Sequence, residues 1–304
     1  MRIASLLASG TEIVCALGLG DRLVGISHEC DYPPEVLDRP RLSAPRFDVT
    51  GLASGEIDLA VRRAAAGGGV YRLDSTLLAT LAPDLIITQA VCEVCAVPTD
   101  LAEEAAAMLD TGVRTLSLDS HSMDDVLDSI RALGSAAGVP ERAEALAMSL
   151  RNRIEAVRSS VEGLPCKRVL AIEWLDPPFV PGHWVPEMIE SAGGECLAGD
   201  RHRPSRSVSW DELSGLDPDI LLVMPCGYGL ERSLEDAREH AEGLLQIGPR
   251  AISMGTAYVV DGSAYFNRSG PRMAEGVEIL AALLHPDRSG RVDLQGKADR
   301  WCPT

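Results

Sequence analysis

The sequence predicts an α/β fold: two Rossmann-like lobes with parallel sheets, joined by one long backbone helix. Three observations carry this expectation. Short apolar runs alternate with helical patterns along the chain, the order that parallel sheets covered by helices require. A ten-residue pattern recurs: Leu78-Ala-Thr-Leu-Ala-Pro-Asp-Leu-Ile-Ile returns as Leu213-Ser-Gly-Leu-Asp-Pro-Asp-Ile-Leu-Leu. One unbroken amphipathic helix stands in mid-chain. The 304 residues suit two lobes of roughly 150 residues each.

Taken in order, residues 2–7 read as a strand leading into a helix. Further strands are expected at 23–27, 84–89, 113–118, 168–173, 220–224 and 257–261. Several of these runs are continuously apolar, as strands buried on both faces must be. Residues 98–109 read as a helix with Pro98 in its first turn. Ser122 before Met-Asp-Asp offers a cap and early acidic residues for the next helix, and Gly138-Val139-Pro140 ends that run. Ala143, Leu146, Leu150, Ile154, Val157 and Val161 then recur at spacings of three or four. They form one apolar stripe on a helix of roughly 20 residues, about 30 Å long, which Gly163-Leu164-Pro165 terminates. The expected division is an N-terminal lobe over 1–121, connecting helices over 122–163, a C-terminal lobe over 164–286 and a polar tail over 287–304.

Charge and composition exclude several classes. With 28 Lys+Arg against 45 Asp+Glu, the formal charge is −17. A nucleic-acid or anionic-membrane binder takes its affinity from a basic surface instead. At 46% hydrophobic residues the chain can bury a real core and is not disordered. No run approaches the roughly 18 apolar residues of a membrane span, and Glu12 interrupts the apolar opening, so no export signal is read and a cytoplasmic chain is expected. There the eight cysteines are expected as thiols or metal ligands, not disulfides.

In open parallel sheets, ligands gather beyond the carboxyl ends of the strands. Those positions hold His28-Glu29-Cys30, Cys92-Glu-Val-Cys95, Glu173-Trp174, Gly182-His183-Trp184 and Pro225-Cys226-Gly227-Tyr228. Cys92-x-x-Cys95 brings two thiolates within reach of one ion. Cys30 and Cys226 are the candidates to complete a four-thiolate site for zinc or an iron–sulfur cluster. His28, Glu29, Glu173, Trp174, His183, Trp184 and Tyr228 are the candidate ligand contacts, with the aromatics as apolar walls. For each residue alone a bland role competes: a small core thiol, a hydrogen-bonded histidine, a core tryptophan. Convergence of so many strand-end loops favours one interlobe cleft. A redox pair at Cys92 and Cys95 is a competing reading. Cys15 reads as core filler, Cys166, Cys196 and Cys302 fall elsewhere, and His121, His202, His240 and His285 receive no role. There is no G-x-S-x-G elbow, Walker A loop or G-x-G-x-x-G after a strand, so hydrolase and nucleotide readings fare poorly.

These residues resemble the two-lobed substrate-binding proteins of the cobalamin and iron-chelate uptake type, whose lobes share one rigid helix. The resemblance spans about residues 2 to 285. It rests on the opening Arg2-Ile-Ala-Ser-Leu-Leu-Ala-Ser-Gly-Thr-Glu, on Leu81-Ala-Pro-Asp-Leu-Ile-Ile, the long helix, Trp210-Asp-Glu-Leu and Gly270-Pro-Arg. His28-Glu-Cys-Asp-Tyr-Pro-Pro, Thr88-Gln-Ala-Val-Cys-Glu-Val-Cys, Glu173-Trp-Leu-Asp-Pro-Pro, Gly182-His-Trp-Val-Pro-Glu and Pro225-Cys-Gly are similar to its cobalamin-binding subgroup. Ala8 stands where that family usually has proline, and Arg268-Ser-Gly-Pro-Arg where it has Arg-Pro-Gly-Pro-Arg. The resemblance implies a metal-centred small molecule as ligand, cobalamin or another corrinoid foremost, and an ABC transporter as partner. The missing export signal argues against that partner. The alternative is a cytosolic metalloprotein with the Cys-ligated zinc or iron–sulfur site. An enzyme could follow from it, with Glu173 or His183 moving protons, although a non-catalytic role is the expectation.

Overall fold

The computed structural model describes residues 1–67, 69–90, 99–107, 112–287 and 292–303. It divides into two compact units. The first comprises Met1–Gly51, Leu59–Ser120 and Asp124–Ser149; the second comprises Leu52–Asp58, His121–Met123 and Leu150–Thr304.

The first unit is built on a four-stranded sheet from β1 (Ile3–Ser5), β2 (Leu23–Ile26), β5 (Leu85–Thr88) and β6 (Arg114–Ser117), in the order β2-β1-β5-β6. Every pairing in it is parallel. A small antiparallel pair, β3 (Ser43–Pro45) with β4 (Tyr71–Leu73), accompanies it. Ala4, Leu6, Leu42, Leu78 and Ile86 are fully buried in its core. Helix Ala8–Ala16 approaches the sheet so closely that a Cβ on Gly10 would lie 2.7 Å from Ile87 Cγ2. Only glycine fits that approach.

The second unit carries a five-stranded sheet ordered β10-β7-β12-β13-β14. Its strands are β7 (Lys167–Ile172), β10 (Gly194–Cys196), β12 (Ile220–Val223), β13 (Ala257–Val260) and β14 (Ala298–Arg300). The first four are parallel, and β14 joins β13 antiparallel. A second, antiparallel sheet of β8 (Trp174–Leu175), β9 (Pro178–Val180) and β11 (Arg206–Ser207) stands after β7. Leu170, Ile172, Leu221 and Val223 lie in a core that also includes Trp301. The segment read from sequence as a polar tail therefore closes the sheet edge through β14: alternation there is too short to show as a pattern, yet Trp301 supplies the apolar anchor.

The sequence echo is a structural one. Helix Ser75–Leu81 precedes β5, and helix Trp210–Leu213 precedes β12. Ala82 and Asp217, each just before the proline, have positive φ of 40° and 44°. Asp84 then accepts the Arg2 backbone N–H at 2.6 Å, and Asp219 accepts that of Arg168 at 2.9 Å. Both aspartates return their own N–H to the same residue's carbonyl at 2.8 Å. Each copy thus fastens one strand to the start of its neighbour. The Arg168 N–H and the Arg250 guanidinium hold the Asp219 carboxyl below its ordinary value.

Helix Pro140–Val161 has 22 residues. Ala143, Leu150, Ile154, Val157 and Val161 are buried along it, with Ala147 buried where Leu146 is only half-buried. Residues up to Ser149 group with the first unit and those from Leu150 with the second. Among the described residues, no helix is long and apolar enough to cross a membrane.

Candidate functional site

The turn after β2 carries the first unit's candidates. Cys30 N–H closes it on the Ser27 carbonyl at 3.3 Å, and Arg41 Nη1 donates to the carbonyls of Ser27 and Cys30 at 2.9 and 2.5 Å. Ser43, on β3, fixes His28 from both sides of its Cα. Its Oγ accepts the His28 N–H at 3.2 Å and lies 2.8 Å from the ring Nδ1. The ring packs on Tyr71, centroids 4.7 Å apart, and its Nε2 lies 3.2 Å from Glu29 Oε1. Cys30 turns inward: it is buried, with Sγ 3.0 Å from Thr11 Oγ1. Cys92 and Cys95 lie outside the described residues.

The second unit builds a more open arrangement on β7 and β12. Glu173, just beyond β7, donates its N–H to the Phe179 carbonyl at 2.9 Å, and its own carbonyl accepts the Cys226 N–H at 2.8 Å. The buried Glu173 carboxylate accepts the Ser205 hydroxyl at 2.5 Å. Gly227, at φ 77°, turns the chain after Cys226 and brings Tyr228 back. Positive φ there is a glycine conformation. Trp174 and Tyr228, both half-buried, meet with ring centroids 5.1 Å apart at a 51° tilt. Arg232 stacks over Tyr228, its Cζ 5.2 Å from the ring centre, and donates to the Leu52 carbonyl at 2.9 Å. Trp174 Nε1 donates to the Asp176 carbonyl at 3.0 Å. Burial pushes the Tyr228 phenol above its ordinary value, so it stays a neutral donor.

His183 occupies a left-handed turn, φ 51°. Its N–H donates to the Arg203 carbonyl at 2.7 Å, and its carbonyl accepts the His202 N–H at 3.0 Å. A side chain at Gly182 would run into Arg203 and Ser205, which makes the glycine obligatory. The His183 ring lies 5.7 Å from the Trp184 ring, and its Nδ1 is 3.3 Å from His121 Nδ1. Burial, and then His121, lowers the His183 pKa, favouring neutral imidazole. Trp184 is 8% exposed and donates from Nε1 to the Phe266 carbonyl at 2.8 Å. It is an anchor in the protein rather than an open apolar wall.

The structure therefore brings together Glu173, Trp174, Cys226 and Tyr228, and joins His28 to Glu29. It adds Arg232, Ser205, Ser43 and His121, which sequence reasoning missed or set aside. The spacing of Tyr228 and Arg232, four residues apart across a helix start, was the one available signal. Among the described residues, neither Cys30 nor Cys226 belongs to a group of three metal-ligating side chains. Burial pushes the thiols of Cys15 and Cys196 up to about 11, so neither is a ready thiolate.

A family model described as periplasmic binding protein matches residues 3–246. The uncharacterized ABC transporter substrate-binding lipoprotein YvrC of Bacillus subtilis is 25% identical over 94% of this chain and 80% of its own length. The vitamin B12-binding protein of Vibrio cholerae is 24% identical over 93% of this chain and 88% of its own. The crystal structure of a periplasmic heme-binding protein from Pseudomonas aeruginosa superposes with a TM-score of 0.75 at 21% identity, covering 100% of this chain and 99% of that one.

Proposed function

Since the chain belongs to the periplasmic binding protein family, we propose that it holds a metal-centred macrocycle, cobalamin or another corrinoid foremost and heme next. The observation that carries this reading is the Trp174–Tyr228–Arg232 group. Two tilted rings give a flat macrocycle apolar area, and a guanidinium answers polar groups on its rim. Glu173 and Ser205 supply a fixed polar edge, and His183, held neutral, is a nitrogen donor. The names of the relatives support the same ligand class: one binds vitamin B12 and another heme. An ABC-type transporter is the partner class they suggest.

A four-thiolate zinc or iron–sulfur site gains nothing from the described cysteines, because Cys30 faces Thr11 in the core. Purification without oxygen, followed by metal analysis and a visible spectrum, tests the proposal. A corrin or heme spectrum, or saturable uptake of added cyanocobalamin or hemin, is expected. Metal-free protein that takes up neither compound contradicts it.

A further inference from the structure

We propose that Asp236, Glu239 and His240 form a divalent transition-metal site at the C-terminal end of helix Leu230–Glu239. The three residues stand at i, i+3 and i+4, one face of a helix. One ligand atom of each lies within 4.8 Å of the other two. Chemistry of this kind, one imidazole and two carboxylates, suits zinc, cobalt or manganese better than a softer or purely oxygen-seeking ion.

The buried carboxylate makes the case. Asp236 is fully buried at 0% exposure. Its Oδ1 accepts the Ser54 hydroxyl at 2.9 Å and lies 3.3 Å from His240 Nδ1. Its Oδ2 has no hydrogen-bond donor. A buried carboxylate with one oxygen unanswered is costly, and native proteins answer such groups with a donor, a cation or ordered water. Ser233, one turn earlier, also has a buried hydroxyl without a partner.

The carboxylates of Asp236 and Glu239 and the imidazole of His240 lie together, with the Arg232 guanidinium as the neighbouring cation. The 3.3 Å separation of Nδ1 and Oδ1 is about that of two ligands on one tetrahedral ion with bonds of about 2.0–2.1 Å. The ion takes the place of the imidazole proton, and Nδ1 gives up its 2.9 Å bond to the Asp236 carbonyl. Glu239 is exposed and free to swing the remaining distance. A plain helix-end ion pair between His240 and Asp236 leaves Oδ2 unanswered, whereas an ion chelated by both oxygens of the Asp236 carboxylate answers it.

The test is titration of the full chain with Co²⁺, followed by calorimetry and the visible spectrum. One equivalent is expected to bind with d–d bands and no sulfur-to-cobalt charge transfer. Glu239→Gln and His240→Gln are each expected to weaken binding at least tenfold. Both positions carry more solvent contact than Asp236, so these variants should fold; circular dichroism checks that they do. Added Co²⁺ should raise Tm in the wild type and not in either variant. Absence of saturable binding, a thiolate charge-transfer band, or unchanged affinity in both variants overturns the proposal. Cyanocobalamin and hemin titrations of the same two variants should match the wild type, so this site and the proposed function stand or fall separately.

Discussion

In the first unit, the turn after β2 is occupied with its own protein. Arg41 holds its carbonyls, Ser43 takes the His28 ring Nδ1, and Cys30 faces Thr11. In the second unit, the turns after β7 and β12 bind one another through the Cys226–Glu173 main-chain bond, and their aromatic side chains are left half-exposed. The two sheets share a device, since Asp84 fastens β5 to β1 and Asp219 fastens β12 to β7 in the same way, although the loop after β5 lies outside the described residues. A duplicated frame thus fixes where strand-end loops emerge, while the hydrogen bonds within each loop decide what remains for a ligand. Among the described loops, those of the second unit keep more in reserve.

The largest expected effect separates two tryptophans of that unit. Trp184→Ala removes a buried ring and strands the Phe266 carbonyl, so urea unfolding should show a loss of about 3–5 kcal/mol. Trp174→Ala should cost under about 1 kcal/mol as a half-exposed site, yet weaken macrocycle binding more than tenfold. Equal stability losses would erase the distinction between anchor and contact surface.

Next come the two fastening aspartates. Asp219→Ala should cost about 1–3 kcal/mol, because it strands the Arg168 N–H and removes one of the two carboxylates that hold Arg250. Asp84, with a side chain 59% exposed, should lose about 1 kcal/mol or less on the same change. The Asp219 carboxyl is held below its ordinary value of 3.8. Its contribution is therefore present above about pH 4 and is lost as pH falls through the depressed value. An Asp219→Ala protein whose acid unfolding curve parallels the wild type down to pH 2 would show that the fastening is weaker than drawn.

The thiols offer a smaller contrast. Cys30→Ser puts a more polar group into a buried position and should cost about 1–2 kcal/mol, whereas Cys226→Ser should leave stability within about 0.5 kcal/mol. A larger loss at Cys226 would reverse the roles of the two loops.

The smallest effect is in pH dependence, and its sign differs between two histidines. His183 is lowered from 6.5, so its contribution is complete above about pH 6.5 and fades as pH falls through the folded value. His240 is raised, so its contribution is complete below about pH 6.5 and fades as pH rises through the folded value. Thermal melts of His183→Gln and His240→Gln between pH 5 and 8 should diverge from the wild type in opposite directions.

Much of this frame was legible in the sequence. Apolar runs marked the central parallel strands, β5 and β12 among them, because both of their faces are buried, and the Pro-Asp echo marked a repeated helix–strand unit. The short antiparallel strands β8, β9, β11 and β14 were not legible, since two or three residues carry no period. Side-chain direction was also hidden. Gly182-His183-Trp184 was read as part of the loop after the 168–173 strand, whereas it follows β9, and the left-handed turn at His183 and the Trp184 bond to Phe266 are three-dimensional facts. Cys30 was likewise read as a strand-end residue, and only its neighbour Thr11, nineteen positions earlier, shows that it faces the core. His121 lacked any sequence signal because its partner lies 62 residues away.

The most direct measurement is a cyanocobalamin and hemin titration of the wild type and of the Trp174→Ala, Tyr228→Ala double variant, followed by tryptophan fluorescence and visible absorption. Saturable one-to-one binding of at least one macrocycle by the wild type, weakened more than a hundredfold in a double variant that still folds, is the predicted result. Binding of neither macrocycle, or equal affinity in the two proteins, would contradict the account.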